Sequence, residues 1–193
     1  NPVVAHIDLD SKGDNSVVYD AEGGPIRYQV IAGESWGNIL NQYTAFSGRQ
    51  PMIPRWALGN FASRFGYHSQ QEVMETIDAF QQEQIPVDAV ILDLYWFGKD
   101  IKGHMGNLAF DKEAFPDPKA MIDELAQKDI KTVLITEPFV LTSSNRWQEA
   151  VDGNVLGTNA EGNPLTYDFY FGNTGLIDVF APQAKSWFWD IYK

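Results

Sequence analysis

The chain has 193 residues, 44% of them hydrophobic and 13% aromatic, enough to bury a core and too apolar for a disordered chain. A formal charge of −12 excludes nucleic acid and anionic membrane as expected partners, since both would repel the chain as a whole. Without cysteine there is neither a disulfide framework nor a thiolate site, and no apolar run reaches membrane-spanning length, so the compartment stays open, periplasmic and secreted included.

Residues 1–33 read as β structure. Val3–Leu9 alternates imperfectly, and Ser16–Tyr19 and Ile26–Ile31 are short β-rich runs separated by Glu22-Gly23-Gly24-Pro25. Asp8-Leu9-Asp10-Ser11-Lys12-Gly13-Asp14 has some calcium-loop spacing, but Lys12 stands where an oxygen ligand belongs and the closing Glu is missing. A hairpin turn is the expectation there. Glu34–Gly48 turns helical, with Ser35 as cap, a core stripe of Trp36, Ile39, Leu40, Tyr43 and Phe46, and Gly48 as stop. The Pro51–Pro54 stretch follows as a linker, and the expected boundary divides residues 1–50 from 51–193.

Beyond it strands and helices alternate. Trp56–Phe61 is a candidate strand, and Ser69 with Glu72 makes a capping box for a helix carrying Val73, Ile77 and Phe80. Val87–Leu92 holds five apolar residues and ends in Asp93, as a strand buried on both faces would. Asp117 caps and Pro118 opens a helix with Met121, Ile122 and Leu125 inward, and Lys131–Thr136 is a further buried strand. Three such alternations imply right-handed crossovers and a parallel sheet, an α/β fold. Residues 141–181 break the rhythm with a short helix near Ser144–Val151 and a strand through Leu165–Phe171, before Pro182 starts an aromatic-rich helix. That helix reaches Lys193 without a stop signal, and Asn1-Pro2-Val3 reads as mid-chain, so the sequence is expected to be a piece of a larger protein.

His6, His68 and His104 stand singly, with no pair at zinc spacing, and neither a phosphate loop nor a Gly-x-Ser-x-Gly motif occurs. The remaining chemistry gathers at strand ends. Asp93, Glu137 and Arg64 lie there with Phe65, Tyr67, Tyr95, Trp96 and Phe97 beside them. Aromatic faces with a few carboxylates suit a sugar, whose C–H face stacks while its hydroxyls donate to the acid. Asp93 reads either as a substrate-facing carboxylate or as a turn cap or partner of a nearby Arg, and Glu137 either as the partner of a glycosidase pair, about 5–5.5 Å away in a retaining enzyme, or as a turn residue.

Pro54-Arg55-Trp56-Ala57-Leu58-Gly59 and Ser63-Arg64-Phe65-Gly66-Tyr67 resemble the opening of the catalytic barrel of glycoside hydrolase family 31, the α-glucosidases, α-xylosidases and their relatives. The likeness continues through Ile85-Pro86-Val87-Asp88, Leu92-Asp93-Leu94-Tyr95-Trp96, Phe110-Asp111, Phe115-Pro116-Asp117-Pro118 and Gly175–Pro182. The resemblance implies a (β/α)8 TIM barrel, of which this chain carries about three βα units and a small insertion at 141–175, preceded by the last strands of a β-sandwich. It implies retaining chemistry by two aspartates that lie outside this chain, with no catalytic residue, metal or cofactor within it. Asp93 then matches the aspartate that binds hydroxyls of the sugar being cleaved, Leu94 an apolar neighbour and Phe65 an aromatic wall. Val140 matches a pocket residue after the third strand, and Tyr170 an aromatic from the insertion. Glu137, Val179 and Ala181 depart from the family pattern. The implied partners are an α-linked oligosaccharide and the remainder of the polypeptide. A non-catalytic sugar-binding or structural module, an α-xylosidase or α-galactosidase of the same family, and an unrelated α/β enzyme using Asp93 and Glu137 directly stand as the alternatives.

Overall fold

The computed structural model describes residues 4–193. The chain divides into two compact units, Asn1–Met52 and Ile53–Lys193. In the first, β1 (Ala5–Leu9) and β2 (Val17–Ala21) pair antiparallel with Ala5 opposite Ala21 and Leu9 opposite Val17. Val3, the expected first residue of β1, lies outside the described residues. The acidic run between the strands is a hairpin turn. Asp8 accepts hydrogen bonds from the Ser11 amide at 2.8 Å and the Ser11 hydroxyl at 2.6 Å, and Asp10 accepts from the Asn15 amide at 2.8 Å. These carboxylates therefore order their own backbone, in the manner of Asx turns.

Two expectations for this unit fail. Ile26–Ile31 forms no strand, because β1 and β2 pair only with each other and offer it no ladder. Helix α1 (Trp36–Ser47) does form, with Ser35 Oγ accepting from the Asn38 amide and Gly48 at φ 96°. Its apolar stripe is not core, however. None of its residues is buried, and Trp36 is 87% exposed, because a two-stranded ribbon and one helix offer too little apolar surface to cover it.

The second unit opens with a correction. Residues 55–58 make a single 3₁₀ turn in place of a strand, since Ala57 N–H donates to Pro54 O and Gly59 N–H to Trp56 O. That turn folds the Trp56 ring back onto Phe61 at 5.7 Å. Strand β3 (Phe61–Ala62) is correspondingly short. Helix α2 (Gln70–Gln82) follows, then β4 (Ala89–Leu92), α3 (Pro118–Gln127) and β5 (Lys131–Leu134). The three strands form a parallel sheet in the order β3-β4-β5, with Phe61 opposite Ala89, Ala89 opposite Lys131 and Leu92 opposite Leu134. Parallel neighbours require crossovers, which α2 and α3 supply.

The helices cover the sheet with the residues that the periodicity selected. Val73 and Ile77 of α2, Met121 and Leu125 of α3, and Val90 and Leu92 of β4 share one core with Phe115, Trp96 and Phe97. Asp117 caps α3 by accepting from the Ala120 amide at 2.9 Å, and Pro118 opens the helix where no N–H is needed.

After β5 the chain forms β6 (Phe139–Leu141), α4 (Trp147–Asp152), β7 (Thr166–Phe169), β8 (Gly172–Leu176) and α5 (Pro182–Tyr192). The strands make an antiparallel sheet in the order β6-β8-β7. The single strand expected through Leu165–Phe171 is thus half of a hairpin, and β6, only three residues long, gave no pattern to read. Val140, Ala150, Val155, Leu156, Ile177 and Ala184 form a second core beneath this sheet.

Phe115 is fully buried, its ring 5.6 Å from that of Phe110. Phe115→Ala is expected to cost about 3–5 kcal/mol, read as a shift of the urea midpoint at constant slope.

Candidate functional site

All three parallel strands release their following loops at one edge. Pairing of Ala62 with Val90 and of Leu92 with Leu134 brings out Ser63–His68, Asp93–Phe97 and Ile135–Pro138 side by side. Such C-terminal edges are where α/β folds gather their binding groups.

Asp93 directly follows β4. Its Oδ1 accepts from the Leu94 amide at 2.7 Å, capping a 3₁₀ turn over Leu94–Phe97. The cap reading is therefore real, but it uses one oxygen. Asp93 Oδ2 has no hydrogen bond or ion pair among the described residues, and the side chain is half-buried. The turn is pinned behind it, since Trp96 is buried and its indole N–H donates to Ile135 O at 3.1 Å, tying the end of β4 to that of β5. Leu94 is 5% exposed and gives the edge only a narrow apolar margin.

Phe65 stands out into solvent, 64% exposed, with its ring edge-on to Tyr95 at 6.4 Å. Its loop is fixed by Glu72 in the first turn of α2. Glu72 Oε1 pairs with Arg64 at 2.6 Å, and Oε2 accepts from the His68 amide at 2.6 Å. The expected capping box is only half present. Ser69 Oγ accepts from the Glu72 amide, but the Glu72 carboxylate reaches His68 in place of Ser69, bridging back to Arg64. Below this loop Tyr67 is buried, and burial pushes its hydroxyl up from the ordinary tyrosine range.

The other two expected pocket residues belong to the antiparallel sheet. Tyr170 sits at the turn between β7 and β8, 64% exposed, under the Lys102 ammonium at 4.8 Å from the ring centroid. Val140 is fully buried in β6, and Gly106 packs so closely that a Cβ there would lie 2.7 Å from Val140 Cα. With no exposed surface, Val140 does not line an open pocket in this structure. Glu137 is half-buried and makes no side-chain hydrogen bond or ion pair among the described residues; it borders an apolar groove of about 420 Å³ with Pro138, Ile177, Phe188 and Trp189. Among the described residues no group of three His, Asp or Glu could hold a metal ion.

One organising residue carried no sequence signal. Asn107 donates from Nδ2 to Phe97 O at 3.1 Å, accepts at Oδ1 from the Ser144 hydroxyl and the Asn145 amide at 3.0 Å each, and accepts at its carbonyl from Arg146 Nε at 2.8 Å. It joins the loop after β4 to the segment before α4. All of these contacts span 10 or more positions, so no local pattern could have disclosed them.

Parallel strands joined by crossover helices define an α/β unit, here an open three-stranded sheet with a carboxylate and aromatics at its strand ends. The model of the glycosyl hydrolases family 31 TIM-barrel domain matches residues 50–193. The chain belongs to glycosyl hydrolase family 31. It is 33% identical over 171 residues to alpha-glucosidase 2 of Bacillus thermoamyloliquefaciens, covering 88% of this chain and 21% of that protein. It is 29% identical over 189 residues to alpha-xylosidase XylQ of Lactiplantibacillus pentosus, covering 96% and 24%. The crystal structure of a family 31 alpha-xylosidase from a soil metagenome, complexed with xylose, superposes with a TM-score of 0.71 at 29% identity, covering 83% of this chain and 23% of that one. The chain thus spans between a fifth and a quarter of the length of these two curated relatives.

Two outcomes follow from the geometry. Asn107→Ala, which strands the Phe97 carbonyl and the Asn145 amide, is expected to cost about 1–3 kcal/mol in denaturant unfolding. Because Tyr67 holds its proton more tightly when folded, its contribution is complete below the free tyrosine value of about pH 10 and is lost as pH rises past it. Tyr67→Phe should therefore flatten the alkaline end of the stability profile.

Proposed function

We propose that this chain is part of a retaining α-glycosidase that hydrolyses terminal α-glucosidic bonds in oligosaccharides, and that it supplies half of the pocket for the sugar being cleaved. In this reading residues 1–50 are the end of a β-sandwich with its linker helix. Residues 51–193 are the first part of a (β/α)8 barrel, and 141–175 are its insertion. The observation that carries the proposal is Asp93, a carboxylate at the end of β4 with Oδ2 unused, in a chain of this family.

Asp93 Oδ2 would accept hydroxyl protons of the sugar, while the exposed Phe65 ring takes a C–H face and Leu94 closes the apolar margin. Tyr170 would approach from the insertion. Val140, buried beneath, would support the pocket from below without touching the sugar. The nucleophile and the acid/base are aspartates outside this chain. They would form and hydrolyse a glycosyl-aspartate intermediate, with the acid protonating the leaving oxygen and then activating water. What Asp93 adds is orientation and selection, since a carboxylate that a bound ring shields from water without supplying hydroxyl partners is costly.

An α-xylosidase is the second reading, favoured by the alignment with XylQ over 96% of this chain. The two differ at the sugar's C6 group, and a panel of aryl α-glycosides against the full-length enzyme separates them. Two hydroxyl bonds to a carboxylate, at about 1.5–3 kcal/mol each, predict that Asp93→Asn in that enzyme loses kcat/KM by a hundredfold or more while its melting temperature holds. Near-normal kinetics would remove Asp93 from the pocket. The isolated 193-residue chain is expected to show no turnover of p-nitrophenyl α-glucoside, and turnover would place the catalytic groups within it.

A further inference from the structure

The ring of Tyr95 is gripped by the loop that follows β3. His68 lies tilted over it, with centroids 3.8 Å apart and planes at 31°. Phe65 meets it edge to face at 6.4 Å and 72°. Gly66 passes so close that a Cβ there would fall 2.3 Å from Tyr95 Cδ2, so this position accepts only a glycine without displacing the ring. Neither partner can slide. Glu72 holds the loop at Arg64 and at the His68 amide, and Tyr95 sits inside the turn that Asp93 caps and Trp96 anchors.

We propose that Tyr95 is a positioning residue that sets the separation between the Phe65 ring and Asp93 Oδ2, and so the width of the slot that takes a sugar ring. The inference rests on the reading that those two groups hold the sugar, and it adds the group that spaces them. Phe65 is 64% exposed, and its edge-to-face contact with Tyr95 is its one ring contact among the described residues. Without Tyr95 it would sample several rotamers, and ordering it would be charged to each binding event. A ring that stacks on the C–H face of the sugar does so in ground state and transition state alike, so loosening it weakens both equally. KM rises and kcat stays.

The test is steady-state kinetics of the full-length enzyme on an aryl α-glucoside. Tyr95→Ala is expected to raise KM about tenfold with kcat within about twofold, while Tyr95→Phe, which keeps the ring, stays near normal in both. Gly66→Ala should move KM in the same direction by displacing the ring. Equal impairment by Tyr95→Phe and Tyr95→Ala overturns the proposal, because the hydroxyl rather than the ring would then matter, and so does a fall in kcat at unchanged KM. If melting curves show that Tyr95→Ala does not fold, the exposed His68 carries the test. His68→Ala should raise KM about two- to fivefold, and an unchanged KM overturns the inference. Asp93→Asn separates the two levels. Its loss of kcat/KM beside an unchanged KM in Tyr95→Ala overturns this inference alone, whereas an unaffected Asp93→Asn overturns the pocket reading beneath it.

Discussion

Strand β4 is hydrogen-bonded along both edges, to β3 and to β5, and Ala89, Val90 and Leu92 are buried within it. That double constraint decides where Asp93 and the turn after it stand. A strand with free edges can slip, and a slip of one residue would carry Leu92 to the opposite face and Asp93 into the core. Paired on both sides, β4 has one register. Asp88 fixes it from below, because its Oδ2 accepts from the Asn60 amide at 2.9 Å and its carbonyl accepts from Lys131 N–H at 2.9 Å. The position of Asp93 at the upper edge is thus set at the lower one.

Above the sheet, order is carried by single side chains acting at two points. Glu72 binds the beginning and end of the loop after β3, and Trp96 joins the ends of β4 and β5. Asn107 links two segments nearly forty positions apart. Each contact is modest in net energy, about 0.5–1.5 kcal/mol for an ordinary hydrogen bond. Their effect is geometric. Loops that would otherwise sample many conformations are held at both ends, so the groups they carry are fixed in place.

Legibility in the sequence followed the range of the interaction. Local rules found what local forces build: Ser35, Ser69 and Asp117 cap their helices, and Val73, Ile77, Met121 and Leu125 face the core. The place of Asp93 at the end of β4 was legible as well, because an acid ending a run of buried β-formers breaks the pattern at a single position. The misreadings came where partners at a distance decide. Ile26–Ile31 has strand composition but no neighbour, and α1 has an apolar stripe with no cover within its unit. Trp56–Leu58 turns back because its ring finds Phe61. The burial of Val140 depends on Gly106, thirty-four positions earlier, and the β7–β8 hairpin on its register with β6. Periodicity contains none of that.

Asp93 joins the two halves of the account. A carboxylate at a strand end must satisfy its own solvation, and capping the next turn with Oδ1 does so at the shortest range available. Because that bond is to the adjacent amide, it also fixes the plane of the carboxylate and therefore the direction of Oδ2. An acid bound by an arginine fork would have both oxygens occupied and a depressed appetite for further donors. Here the partner is one backbone N–H, which orients without neutralising. The same bond that starts the 3₁₀ turn carries Tyr95 to the β3 loop, where His68 and Phe65 meet its ring. Stability of the turn and the direction of the unused oxygen are, at this residue, a single hydrogen bond seen from two sides.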